Sequence, residues 1–269
     1  MKAKVAVLYI EGTNCEDEGL RAFNAVGLDA EKVHLKQLTG DCAKERRRSM
    51  FDYDMLFLPG GWSAGDYIRA GAIFAARMKS RLRNEIVEFT SEGRFIVGVC
   101  NGFQILTEVG LLPGFNGMSE VPEAALAINE NGRFQCRPTY IKHENACTIT
   151  CGIKKGAVMQ VPVAHAEGRL TFGSRNKDFL KKLLDNNQVV FRYCRKDGSP
   201  ADGTFPWNPN GSLYDIAGIC NPDGNVLGMM PHPERVVDRI QNADWSRSNN
   251  EGDSLMFFKS IATYIKKQR

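Results

Sequence analysis

Apolar positions in the first 112 residues come as short continuous runs, most of them followed by a helical pattern. Residues 4–10 carry an unbroken apolar run, the mark of a strand buried on both faces of a parallel sheet. Residues 16–26 have helical spacing through Leu20, Phe23 and Ala25, and stop at Gly27. Residues 30–35 and 55–58 predict two more strands, the second ending in Pro59-Gly60-Gly61. Residues 65–78 and 82–91 predict helices, 95–99 a strand, and 103–109 a helix. That alternation predicts an α/β fold: an open, mostly parallel sheet with helices on both faces.

Beyond residue 112 the pattern changes. Residues 134–141, 148–153, 158–163 and 189–195 predict strands, with one helix at 177–185. This predicts an antiparallel section attached to the parallel sheet. Residues 199–212, rich in Gly, Pro and Asn, predict a loop. Residues 216–220 and 226–229 predict a hairpin around Asn221-Pro222-Asp223-Gly224, and 254–267 a closing helix. No repeat or linker interrupts the chain, so a single domain over residues 1–269 is expected.

Composition narrows the class. The chain is 43% hydrophobic and 25% charged, enough apolar material for a globular core. A net charge of +4 argues for neither nucleic acid nor membrane as a partner. The basic run at 44–48 reads as a solvated segment or a docking patch for an acidic partner or phosphate. No apolar stretch approaches a membrane span, and the short N-terminal run passes straight into acidic, helix-like sequence rather than a cleavage site. Eight scattered cysteines without a CxxC then point to reduced thiols and a cytoplasmic location. His143, Cys147 and Cys151 recur every four residues, but the alternating text around them reads as a strand, and no metal site is expected.

Chemistry concentrates at Cys100. The frame Gly98-Val99-Cys100-Asn101-Gly102 is a strand–turn–helix G-x-C-x-G, the nucleophile-elbow pattern with sulfur in place of a hydroxyl. Such a turn lifts the sulfur from the core and sets it at a helix N-terminus, which favours a thiolate. A cysteine in an apolar run is otherwise a small buried hydrophobe, so the elbow needs a base. Gly228 to Arg235 reads GMMPHPER, and in extended chain His232 and Glu234 project to one side. They supply a general base and its orienter. Gly60-Gly61, at another strand end, is either a tight turn or half of an oxyanion hole shared by the backbone N–H groups of Gly61 and Asn101.

Together these segments resemble the class I (triad) glutamine amidotransferases. GTNCEDE, GGWSAGDYIRAGAI, CNGFQIL, HAEGR, NPNGS, IAGICN and GMMPHPER are similar in detail to the glutaminase subunits serving a synthetase of purine biosynthesis. The resemblance implies a flavodoxin-like sheet and hydrolysis of glutamine to glutamate and ammonia by Cys100, His232 and Glu234. It implies a substrate-holding role for Gln104, one helical turn past Cys100. His165, Glu167 and the NPNGS loop would line the pocket or meet a partner. The resemblance further implies no cofactor in this chain, with ATP and Mg on a large synthetase subunit and a small accessory subunit completing the complex. The ammonia acceptor would be formylglycinamide ribonucleotide, converted to formylglycinamidine ribonucleotide. Departures from the family are Trp62 and Ala64, where an aromatic pair is expected, and a polar Asn-rich segment at 236–252 that is an interface or a species-specific loop. Two other readings stay open: a cysteine hydrolase or peptidase with a similar elbow, and a catalytically silent scaffold.

Overall fold

A computed structural model of the chain describes residues 2–247 and 252–267. The strands are β1 (Lys4–Tyr9), β2 (Asp29–His34), β3 (Met55–Leu58), β4 (Phe95–Val99), β5 (Ala125–Ala127), β6 (Gln135–His143), β7 (Val158–His165), β8 (Arg169–Thr171), β9 (Val189–Cys194), β10 (Ile216–Cys220) and β11 (Val226–Met229). The helices are α1 (Glu16–Ala25), α2 (Leu35–Thr39), α3 (Ala72–Ser91), α4 (Asn101–Val109), α5 (Asn176–Asp185) and α6 (Leu255–Lys267). One sheet of nine strands runs β2-β1-β3-β4-β11-β10-β9-β6-β7. From β2 to β11 every pairing is parallel; from β10 to β7 every pairing is antiparallel. The predicted fold class, with its attached antiparallel section, is the one observed. Among the described residues no helix is long and apolar enough to cross a membrane.

The fully buried strands β3, β4, β10 and β11 explain the continuous apolar runs, since both faces are covered. On one face Phe57 of β3 meets Phe23 of α1, which meets Phe258 of α6, with edge-to-face centroids 5.1 and 5.2 Å apart. That geometry is favourable for aromatic quadrupoles. On the other face α4 packs against α3 and rests on β3 and β4.

Three expectations are corrected. Residues 65–71 form no α-helix; the helix begins only at Ala72. Ala64, Gly65 and Asp66 all have positive φ, and backbone bonds from Trp62 and Ala64 N–H to the Gly12 and Glu11 carbonyls (2.9 and 2.8 Å) hold the segment as a loop. The two expected helices merge into α3, bent at Leu82, with Phe74, Met78, Ile86 and Phe89 along its buried face. Residues 148–153 form no strand. Thr150 Oγ1 accepts the Cys147 N–H at 3.0 Å and turns the chain into a short 3-10 helix, overriding the strand preference of the threonines. The small β5–β8 sheet was not anticipated. In the tail after residue 235, Val236 and Val237 are buried, while 248–251 lie outside the described residues.

Candidate active site

The carboxyl ends of β1, β3, β4 and β11 converge on one point, as expected for an open α/β sheet. β4 delivers Cys100 in the sparsely populated region φ 52°, ψ −108°. That strain is a property of a sharp strand-to-helix elbow and stores energy where chemistry occurs. The elbow closes because two neighbours lack Cβ atoms. A methyl group on Gly98 falls 2.5 Å from the Gly102 carbonyl oxygen, and one on Gly102 falls 1.9 Å from that of Leu58. Cys100 Sγ lies 3.6 Å from the Ala164 carbonyl, its acceptor at the end of β7.

His232 and Glu234 follow β11 and are both buried. Nδ1 of the imidazole lies 2.6 Å from Glu234 Oε1. The sequence placed them on one side of an extended segment. The structure brings them together differently, through a 3-10 turn at Pro233–Arg235, with the His232 N–H donating to the Pro162 carbonyl. Burial disfavours the imidazolium, but the Glu234 carboxylate and then Cys100 outweigh it and hold the His232 pKa well above its usual value. Nε2 has no hydrogen-bond partner among the described residues, although the Cys100 thiol is close enough to bear on the charge of the ring. It is the free nitrogen available for proton transfer.

Gly61 lines the pocket with φ 140°, and a Cβ there would sit 2.5 Å from the Asn14 nitrogen. Among the described residues its N–H makes no hydrogen bond, and Asn101 N–H is one of the first-turn donors of α4 that have no partner within the helix. The pocket, about 210 Å³, is lined by Cys100, Gly61, Trp62, Gln104, His165 and Glu167, among others. Trp62 stacks on Phe134 with centroids 6.4 Å apart, so the rim keeps an aromatic pair drawn from two segments.

Gln104 ties the pocket walls together. Its Nε2 donates to the Glu167 carbonyl at 2.6 Å and its Oε1 accepts from Asn101 Nδ2 at 3.0 Å. Asn101 also bonds Ser63 Oγ (2.6 Å) and Asp66 Oδ1 (3.2 Å), while Glu167 Oε2 accepts the Ala70 N–H (3.1 Å). Burial raises the Asp66 pKa, the Gly71 and Asn101 hydrogen bonds oppose this, and the Glu167 charge adds to it. Gln104→Leu keeps the volume but unpairs two buried polar partners. It is expected to raise the KM for glutamine at least ten-fold, with a smaller change in kcat, in a steady-state assay (about 1.4 kcal/mol).

His165 is neutral. Burial, and next the charge on His232, push its pKa down to about 3. Its Nδ1 lies 3.1 Å from Asn129 Oδ1, which also accepts the Gly168 N–H, so Nδ1 carries the proton. NPNGS does not line the pocket. It buttresses it, with Asn210 Nδ2 donating to the Gly168 carbonyl (2.8 Å) and Tyr193 Oη (3.2 Å). Sequence reasoning missed Asn129, Ser63, the Ala164 carbonyl and Cys15. The thiol of Cys15 lies 3.9 Å from His232 Nδ1. Only Cys15 and Ser63 carried a signal, their places in GTNCEDE and GGWSAGD. Cys15, His232 and Glu234 are also the one group among the described residues whose ligand atoms (within 4.8 Å of one another) could gather around a metal.

A profile of the CobB/CobQ-like glutamine amidotransferase domain matches residues 2–265. The phosphoribosylformylglycinamidine synthase subunit PurQ of Archaeoglobus fulgidus is 52% identical, covering 98% of this chain and 97% of its own. The PurQ subunit of Picrophilus torridus is 45% identical, covering 96% and 97%. Among solved structures, a chain of PurLQS from Thermotoga maritima superposes with a TM-score of 0.73 at 31% identity, over 98% of this chain and 99% of that one. The match spans the sheet and every segment that builds the pocket, and the chain belongs to the CobB/CobQ-like glutamine amidotransferase family.

Proposed function

We infer that the chain is the glutaminase subunit of a phosphoribosylformylglycinamidine synthase. It hydrolyses glutamine and passes the ammonia to an ATP-dependent synthetase subunit in purine biosynthesis. The observation that carries the reading is the buried His232–Glu234 pair beside Cys100, opening on a small pocket that Gln104 and Gly61 line. The two relatives above share the name PurQ over nearly their whole lengths.

Chemistry follows from the geometry. The Cys100 thiol passes its proton to His232, and the sulfur attacks the side-chain amide carbon of glutamine. The Gly61 and Asn101 N–H groups stabilise the oxyanion. His232 gives its proton to the leaving ammonia, and the neutral ring then takes one from the water that releases glutamate. Glu234 fixes the imidazole and its tautomer throughout. Gln104, His165 and Glu167 shape the substrate end of the pocket. A peptidase reading lacks support, because the pocket is small, about 210 Å³, and the relatives that match nearly the whole chain are PurQ subunits.

The chain acts as one domain around its continuous sheet. It works without a cofactor of its own, with ATP and Mg on the synthetase and a small accessory subunit completing the complex in the cytoplasm. All eight cysteines are free thiols, in keeping with a reducing compartment. Free ammonia protonates in water, so hydrolysis is useful only when a partner receives the product. Glutamine turnover by the isolated chain is expected to be low and to rise on mixing with the synthetase. Equal rates with and without partner would sink the coupling, and no hydrolysis in either state would sink the glutaminase reading.

A further inference from the structure

The reaction above leaves unused a second buried thiol at the triad. Cys15 is 1% exposed, and its Sγ lies 3.9 Å from the nitrogen of His232 that bonds Glu234. Arg235 Nη2 donates to the same sulfur at 3.0 Å. A guanidinium donor at that distance makes the sulfur an acceptor and fixes its direction. The backbone of Cys15 is committed as well. Its N–H and that of Asn14 both donate to the Gly60 carbonyl (3.1 and 3.2 Å), and its own carbonyl accepts the Gly19 N–H in the first turn of α1. One residue thus touches the helix α1, the turn carrying the oxyanion donor, and the imidazole.

Two other uses of this thiol fit less well. As a metal ligand with His232 and Glu234 it would bring a cation beside the Arg235 guanidinium, and would compete with a carboxylate oxygen already bonded to the ring. As a mere apolar filler it would not attract a guanidinium. We propose that Cys15, oriented by Arg235, is a positioning residue for the His232–Glu234 pair. Its sulfur braces the Nδ1 edge of the ring, and its backbone holds the Gly60–Gly61 turn in register with it. The proposal deepens the reading of His232 as the base and rests on it.

The charged and titratable groups facing His232 can be named element by element. Glu234 and, through Cys15, Arg235 come from the turn after β11; Cys100 comes from the start of α4; Cys15 from the start of α1; and His165 from the end of β7. Glu234, Cys100 and Cys15 favour the imidazolium against burial. His165 is neutral. Removing the sulfur takes away one favourable contact and leaves the Arg235 charge unscreened beside the ring. Both effects disfavour the imidazolium, so the ring loses its proton at lower pH.

The test is an NMR titration of the four imidazoles in the full chain, with Cys15→Ala and Cys15→Ser compared to the parent. Cys15→Ala is expected to move the His232 midpoint down by about one pH unit and to lower kcat several-fold at unchanged KM. Cys15→Ser keeps an acceptor for Arg235 and is expected to restore most of both. A His232 midpoint unmoved in Cys15→Ala overturns the proposal, whatever happens to stability. The titration needs neither glutamine nor a partner. A shifted midpoint in a chain that turns over no glutamine even when mixed with the synthetase would therefore count against the glutaminase reading and leave the positioning role standing.

Discussion

Cys100→Ser is expected to abolish glutamine-dependent synthesis by the assembled complex, by roughly 10⁴-fold or more, while ammonia-dependent synthesis persists. The change is a single atom of similar size at a residue that is 5% exposed, so the thermal unfolding temperature should move little. The loss comes from the nucleophile. A hydroxyl needs a stronger base than a thiol, and the change also removes the sulfur that, with Glu234, favours the protonated His232 ring, so the ion pair that readies the nucleophile is lost. Ammonia supplied from solution bypasses this site and reaches the synthetase directly. Assaying both nitrogen sources on the same reconstituted complex separates the two halves. If glutamine- and ammonia-dependent rates fell together, Cys100 would be structural for the assembly and the division of labour would be wrong.

How far this site was legible in the sequence depends on how local its parts are. β3, β4, β10 and β11 have the predicted boundaries, because strands buried on both faces carry their burial in an unbroken apolar run. Cys100 was legible because its elbow needs glycine on both sides, and the close approach of Gly102 to Leu58 is the physical reason. His232 and Glu234 were legible as a pair two residues apart, though a 3-10 turn rather than an extended strand brings them together. The segment 65–71 was misread because its helical spacing is real but loses to the bonds that hold the preceding Trp62 and Ala64 to residues 11 and 12, which no local pattern encodes. The roles of Cys15, Asn129 and Ser63 were not legible for the same reason. Each acquires its role only when strands distant in the chain set their carboxyl ends side by side.

Two glycine-to-alanine changes separate the scaffold from the catalyst. At Gly102 the added methyl group meets the backbone oxygen of Leu58 at 1.9 Å, and the Leu58 carbonyl carbon and Cβ lie behind it. Backbone in the middle of a buried sheet cannot swing aside, so α4 must lift from β3. Overpacking of that kind costs about 3 kcal/mol or more, which for a chain of this size lowers the unfolding temperature by on the order of 10 °C. At Gly60 the methyl group meets a side chain instead, His232 Cε1 at 2.5 Å, with Cys100 Cβ at 3.3 Å. The ring can tilt away, and the fold survives. The tilt takes Nδ1 out of line with Glu234 and moves Nε2 relative to the sulfur. Misplacement of a reacting group by about 1 Å costs on the order of 10²-fold. Gly60→Ala is therefore expected to lose about that much in kcat with a nearly unchanged unfolding temperature, and Gly102→Ala to lose stability first. Differential scanning calorimetry and glutamine turnover on both variants distinguish the two. A Gly60→Ala chain with undiminished turnover would show that the imidazole does not work from the position described here.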